Sequence, residues 1–278
     1  MSGSIRIYDT TLREGIAGAG ISISVDEAVT IARGLEKAGV TAIEAGYPGQ
    51  SQSQCEVVEA VAAAVNGSEV AAISSCAPGE IAAAIVAVQY AARPVVHVYV
   101  SALEAREPGA RTGVCRAIRH AVSTVCAAGI EAQFSIVGIE EMERPFRRQC
   151  IGVAMYAGAT RIGVPDSTGT ATTAEYTAMV RDIVQFVEPP VVVSAHCHNA
   201  SGRAVQNALA AIEAGARQIE ATVRGIGMAG GNTSLEAVAQ GIHARYGECC
   251  VDGHGVAEIG AFLPVTSAPA GAVETCLA

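Results

Sequence analysis

Two histidines stand two residues apart in "HCHN" (196–199), at the end of the apolar run Pro190, Val191, Val192, Val193, Ser194 and Ala195. Side chains alternate faces along a strand, so His196 and His198 point the same way and Cys197 points the other. Two imidazoles on one side of a strand tip can grip one metal ion. The alternative is a hydrogen-bonded core histidine followed by a solvated loop histidine. Asp9 in "IYDTTLREG", Asp166 in "GVPDSTG" and Asn232 in "GIGMAGGNTSLE" add oxygen donors. Taken singly, Asp9 reads as a cap on the turn that follows it and Asn232 as a helix cap. With the histidines, Asp9 and Asn232 make a mixed oxygen and nitrogen set suited to Mg, Mn, Zn or Co, with positions left for substrate oxygens. A structural zinc site would call for sulfur ligands and closed coordination.

These residues need elements to bring them together. Eight short β-rich runs alternate with longer helical patterns, at 5–12, 42–47, 70–76, 95–101, 132–137, 161–165, 191–196 and 218–223. Between them, Ala28, Ile31, Ala32 and Leu35 recur at helical spacing after the cap residue Ser24, which predicts a helix over 25–38. Repeated βα units with short connections imply a parallel sheet, and eight of them predict an α/β fold closed as a (β/α)8 TIM barrel. A doubly wound open sheet is the alternative. Active sites of such barrels lie at the carboxyl ends of the strands. Asp9 ends the first strand, Asp166 the sixth and His196 the seventh, while Asn232 follows the eighth. Closure makes strands one, seven and eight neighbours. The barrel is expected over residues 1–246, with a C-terminal extension over 247–278 that covers the barrel, reaches toward a partner subunit or is partly loose.

Half of the 278 residues are apolar but only 4% are aromatic, with no Trp and 30 Gly, so the interior must be built from Ala, Val, Ile and Leu. The net charge of −9 argues against a phosphate-backbone partner, so nucleic acid is excluded as a ligand. None of the nine cysteines forms a C-x-x-C pair, which predicts free thiols in a reducing cytoplasm. The N-terminal residues show no signal-peptide core, and no run of about 18 apolar residues predicts a membrane span.

The motifs "DTTLREG" (9–15), "IEAGYP" (43–48), "VPDSTG" (164–169), "HCHN" (196–199) and "GIGMAGGNTSLE" (225–236), in this order, resemble the DRE-TIM metallolyase superfamily. That superfamily contains isopropylmalate, homocitrate and citramalate synthases, 4-hydroxy-2-oxoacid aldolases and hydroxymethylglutaryl-CoA lyase. The resemblance implies a divalent metal held by Asp9, His196, His198 and Asn232. It also implies that Arg13 polarises a substrate keto oxygen and that Ser167 holds an α-carboxylate. In that chemistry a 2-oxoacid is chelated through two oxygens and Arg13 stabilises the alkoxide that develops. The alternative for Arg13 is a salt bridge with Glu14 or Glu44 at the barrel rim.

Several positions depart from the family pattern. Gly15 is followed by Ile16 and Ala17, where synthases continue with Glu and Gln and aldolases soon carry a histidine. Val137 stands where synthases carry a catalytic glutamate, Glu104 where they often carry histidine, and Ala200 in place of an aspartate. Met228 occupies a loop that holds a cysteine in the lyases. Metal binding is thus expected to persist while the acid/base groups differ. Candidate bases are Glu14, Glu44, Glu104, Tyr47 and His97, with Glu104 and Tyr47 also placed near substrate. His97 has a core alternative, and Glu104, Glu140 and Glu141 have a solvated-loop alternative. The length is expected to suit a bare barrel, without the further domains of the longer synthases and aldolases. The expected activity is an acyl-CoA plus 2-oxoacid condensation by a homodimer. A metal-dependent lyase or aldolase and a non-catalytic 2-oxoacid-binding barrel are the alternatives.

Overall fold

The computed structural model describes residues 4–17, 20–247 and 249–263, with the backbone alone at 15–17 and 108. The part of the expected extension over 264–278 lies outside the described residues. Eight parallel strands close on themselves: β1 (Arg6–Asp9), β2 (Ala42–Gly46), β3 (Glu69–Ser75), β4 (Pro94–Ser101), β5 (Glu131–Val137), β6 (Arg161–Asp166), β7 (Val192–Cys197) and β8 (Gln218–Ala221). β8 pairs with β1, so the sheet is a (β/α)8 TIM barrel and not an open sheet. Around it run α1 (Thr11–Ala17), α2 (Val25–Lys37), α3 (Gln52–Ala64), α4 (Pro78–Val88), α5 (Arg111–Ala127), α6 (Arg144–Tyr156), α7 (Thr173–Phe186), α8 (Ala204–Ala214), α9 (Leu235–Tyr246) and α10 (Gly253–Phe262).

Local chemistry sets the element ends. Ser24 and Glu27 form a reciprocal capping box on α2, and Ala28, Ile31, Ala32 and Leu35 are its buried face, as the spacing predicts. The first strand is shorter than the apolar run implies. It stops at Asp9 because that carboxylate accepts from the Thr11 amide (2.9 Å) and the Thr11 hydroxyl (2.8 Å), which starts α1. The last strand also stops early, at Ala221, because Val223–Gly225 folds into a 3-10 turn with Arg224 at φ 60°.

Alternation along the strands divides the residues between two environments. Ile7, Ile43, Val96, Phe134, Ile162 and Ile219 face outward into the helices and are fully buried. Each such side chain contributes about 1.5–3 kcal/mol of transfer free energy. Inside the barrel, Tyr8, Ala42, Ala71 and Val95 form a separate apolar group. Much of the rest of the interior carries polar side chains, such as Glu44, His97, Gln133, Ser194, Gln218 and Glu220, whereas barrel interiors are usually packed with branched apolar ones. Buried polar groups need partners. Gln218 Nε2 donates to Gln133 Oε1 (2.8 Å), while Gln133 Nε2 (2.9 Å) and the Ser194 hydroxyl (2.8 Å) donate to Glu220 Oε1. α10 packs on α2 and α9 through buried Val256 and Ile259, so residues 249–263 lie against the barrel wall. The cysteines among the described residues are free, and no described helix is long and apolar enough to cross a membrane.

Candidate active site

His196 lies near the carboxyl end of β7 and His198 just past it, with their Nε2 atoms 3.4 Å apart. The other ring nitrogens fix the tautomers. His196 Nδ1 faces the Glu220 carboxylate at 2.9 Å and His198 Nδ1 faces the Met228 carbonyl at 3.3 Å. Both partners accept only, so each neutral ring carries its proton on Nδ1 and turns an Nε2 lone pair toward the other ring. Among the described residues, the carboxylate that joins them is Glu14, on the first turn of α1. One donor atom from each of Glu14, His196 and His198 lies within 4.8 Å of the others.

The expected ligand Asp9 is not part of this cluster. Both its oxygens are engaged by Thr11, and burial pushes its carboxyl up to about 7 against those two hydrogen bonds. Asn232 is buried and forms an antiparallel bridge with His198. Its Nδ2 donates to the Ile226 carbonyl (3.0 Å), and its Oδ1 has no partner. Gly227 makes this arrangement possible. A Cβ there would stand 1.8 Å from Asn232 Nδ2 and 3.3 Å from Glu14 Oε2, so only a residue without a side chain fits between them. Glu14 Oε2 is likewise buried without a partner.

The Arg13 side chain pairs with Glu14 through Nη1 and with Glu44 through Nε (2.6 Å). Arg13 thus makes the salt bridges to Glu14 and Glu44 named as its alternative, and it makes them on the wall of the site cavity and not on an outer rim. Glu44 also accepts from the Tyr8 hydroxyl (2.8 Å) and contacts His97 Nδ1 (2.8 Å), and His97 Nε2 contacts the Ser135 hydroxyl (2.7 Å). Burial disfavours both carboxylates, but Arg13 together with His198 and His196 at Glu14, and with His97 at Glu44, outweighs it and holds both below the ordinary glutamate value. The histidines diverge. Burial and the charge of His196 push His198 down to about 4, whereas the Glu220 carboxylate overcomes burial and raises His196.

A cavity of roughly 100 Å³ opens on these groups at the carboxyl ends of the strands. Arg13, His97, Tyr99, Ser135, Ser167, His196, His198 and Glu220 bring polar side chains to its wall, and Ile73, Val137, Pro165 and Met228 line the rest. Ser167 accepts from the Gly138 amide (2.8 Å), which leaves its own proton to donate. Glu44 stands behind Arg13 and His97. Tyr47 approaches the cavity only through Tyr99. Glu104 caps the turn after β4 by accepting from the Ser101 amide (2.9 Å) and is exposed. Glu140 accepts from the Thr168 amide (3.3 Å) and Glu141 pairs with Arg106, both away from the cavity. Sequence reasoning missed Glu220, Ser135 and Tyr99. The available signal was a polar residue on the inward face near a strand's carboxyl end, as in the alternation Gln218, Ile219, Glu220.

A family profile described as HMGL-like matches residues 4–263. The chain belongs to the HMGL-like family. This HMGL-like chain is 38% identical over 246 residues to a protein of Methanopyrus kandleri named probable 2-isopropylmalate synthase, covering 88% of the chain and 49% of the relative. It is 38% identical over 251 residues to a 2-isopropylmalate synthase of Staphylococcus epidermidis, with the same coverage. The HMGL-like chain thus spans about half the length of the curated relatives it matches. Among solved structures, an HMG-CoA lyase from Brucella melitensis superposes with a TM-score of 0.75 at 19% identity, covering 94% of this chain and 98% of that one. The carboxyl transferase domain of Rhizobium etli pyruvate carboxylase gives 0.75 at 14% identity, with 92% and 46% covered. These two likenesses establish the barrel fold.

Proposed function

We propose that the protein condenses an acyl-CoA, with acetyl-CoA the first donor to test, with a 2-oxoacid in a Claisen-type reaction that yields a 2-hydroxy dicarboxylic acid. The observation that carries this reading is the convergence of Arg13, Ser167 and the two histidines of the Glu14 cluster on one cavity. Similarity to proteins named 2-isopropylmalate synthase supports it.

The donor set fits a divalent cation. Two facing imidazole lone pairs and the partnerless buried oxygens of Glu14 and Asn232 are the groups such an ion would satisfy. Glu14, His196 and His198 would hold it, with Asn232 beside them, and Mg, Mn, Zn and Co all accept this mixture. An ion held there supplies Lewis acidity toward the keto and carboxylate oxygens of a 2-oxoacid. The chain's own residues do the rest. The Arg13 guanidinium offsets negative charge growing on the keto oxygen as the donor carbon adds. The Ser167 hydroxyl donates to the substrate carboxylate. Glu44 fixes Arg13 and His97 in one orientation. Among the described residues lining the cavity, Arg13 is the one permanent cation, and the wall formed by Ile73, Val137, Pro165 and Met228 is apolar. This favours a 2-oxo monocarboxylate with a short aliphatic chain over a 2-oxo dicarboxylate.

The test is a thiol-release screen with acetyl-CoA and a panel of 2-oxoacids, with and without Mg or Mn, alongside His196→Ala. Metal-dependent thiol release lost in the variant is the expected result. Silence across the panel at full metal occupancy overturns the condensation reading. Pyruvate release from a 4-hydroxy-2-oxoacid would then place the protein in the cleavage direction, which uses the same charge-stabilising residues. Tight 2-oxoacid binding without any turnover would make it a binding barrel.

A further inference from the structure

The condensation reading requires a proton to leave the carbon beside the donor's carbonyl, and most polar groups at the cavity are already committed. His196 and His198 belong to the cation cluster. Glu220 is bound by His196, Gln133 and Ser194. His97 has one ring nitrogen on Glu44 and the other on Ser135. The positions filled by Val137 and Met228 offer no side-chain acid or base. Tyr99 remains.

Tyr99 follows His97 by two residues on β4, so it faces the barrel interior one step nearer the mouth. Its hydroxyl lies 3.2 Å from that of Tyr47, which is in turn hydrogen-bonded to Glu80 Oε2. The two rings meet edge to face, with centroids 6.1 Å apart. Glu80 sits in the first turn of α4, is half-buried, and accepts from the Ser75 amide (3.1 Å). Gly49 leaves the space its side chain needs, since a Cβ there would stand 2.6 Å from Glu80 Cγ. A carboxylate has no proton to give, so Tyr47 donates to Glu80 and must accept from Tyr99. Tyr99 therefore turns a lone pair, not a proton, toward the cavity. Burial raises both phenols above the ordinary tyrosine value, so each enters as a neutral hydroxyl.

We propose that Tyr99, Tyr47 and Glu80 form a proton relay in which Tyr99 is the catalytic residue that removes the donor's α-proton, and Tyr47 and Glu80 are its positioning and proton-accepting partners. The proposal rests on the condensation reading. The C–H bond breaks as an O–H bond forms on Tyr99. The Tyr99 proton passes to Tyr47, and the Tyr47 proton to Glu80 Oε2. The C–H electron pair remains as the enolate of the acyl-CoA. Both tyrosines end neutral, Glu80 ends protonated and releases its proton to water, and nothing is oxidised or reduced.

The experiment compares metal-loaded wild type with Tyr99→Phe, Tyr47→Phe and Glu80→Gln, using acetyl-CoA and its methyl-deuterated form. Glu80→Gln keeps an acceptor for Tyr47 but cannot take up the proton, so it separates chemistry from packing. Each variant is expected to lose about 10²- to 10⁴-fold in kcat. KM for the 2-oxoacid should stay within about threefold, and the deuterium isotope effect should rise as C–H cleavage becomes limiting. A side chain that only supports the fold would not raise that isotope effect. Wild type active with all three variants at wild-type kcat overturns the relay and leaves the condensation intact. A defect confined to Tyr99→Phe also overturns it, because the chain to Glu80 would then carry nothing. A silent wild type removes the condensation and the relay together.

Discussion

The Glu220 carboxylate stands 2.9 Å from His196 Nδ1 and is itself gripped by Gln133 and Ser194. It thereby fixes which nitrogen of His196 faces the cavity as a lone pair. Groups that orient a metal-binding imidazole in this way are typically worth about 10- to 100-fold in metal affinity. Glu220→Gln can place an amide donor against Nδ1 and drive the ring proton to Nε2. Metal titration against a competing chelator should show a loss in that range with the circular dichroism unchanged. Unaltered affinity would mean that the His196 tautomer is set elsewhere.

Asp9 and Glu14 are separated by a direct comparison. Asp9→Ala removes the acceptor for Thr11 at the start of α1 and should cost about 0.5–2 kcal/mol of stability, while metal affinity stays near the wild-type value. Glu14→Gln should lower metal affinity by more than the roughly 100-fold upper range for an orienting group. The reverse pattern in the same titration would return the ligand role to Asp9.

At the amino end of the barrel, Glu69 is buried and accepts from Arg6 (2.6 Å) and Arg93 (2.9 Å), with Arg161 at 2.8 Å. Burial opposes its charge, but Arg6 and Arg161 outweigh burial and hold its carboxyl below the ordinary glutamate value. The folded state therefore binds this proton less readily than the unfolded state. The stabilisation is present above the unfolded value of about 4.3 and fades as pH falls through the folded one. Glu69→Gln should cost about 1.5–3 kcal/mol near neutrality, because it weakens charged hydrogen bonds to Arg6 and Arg93, which water partly reaches, while the buried Arg161 keeps Glu131. Denaturant unfolding should show the gap to wild type narrowing as the pH is taken below about 4. A pH-independent gap would assign the loss to packing.

The apolar walls Ile73, Val137, Pro165 and Met228 beside a single guanidinium make a prediction about the acceptor. In the thiol-release assay, kcat/KM should be higher for short aliphatic 2-oxoacids than for 2-oxoglutarate. An extra carboxylate placed against these walls would lack a partner, and leaving a charged group unpaired costs several kcal/mol. Val137→Lys should narrow the difference. Preference for the dicarboxylate in wild type would contradict this account of the cavity.

The sequence by itself determined the barrel and the end of it that does chemistry. Apolar runs of strand length alternating with amphipathic helices admit few closures, and side-chain alternation alone places His196 and His198 on one side. It also placed Arg13 and Ser167 in the motifs whose side chains reach the cavity. Tertiary structure decided which carboxylate joins the imidazoles. In "DTTLREG" the periodicity of the apolar run carries the strand too far. The Asp9 to Thr11 hydrogen bonds end it early, and the helical turn that follows swings Glu14 over the barrel mouth. Glu220 on His196 and the Tyr99, Tyr47 and Glu80 chain were equally hidden. Each joins elements that meet only when the sheet closes and the helices pack against it, and local periodicity records which face a residue takes, not which distant residue it will find there.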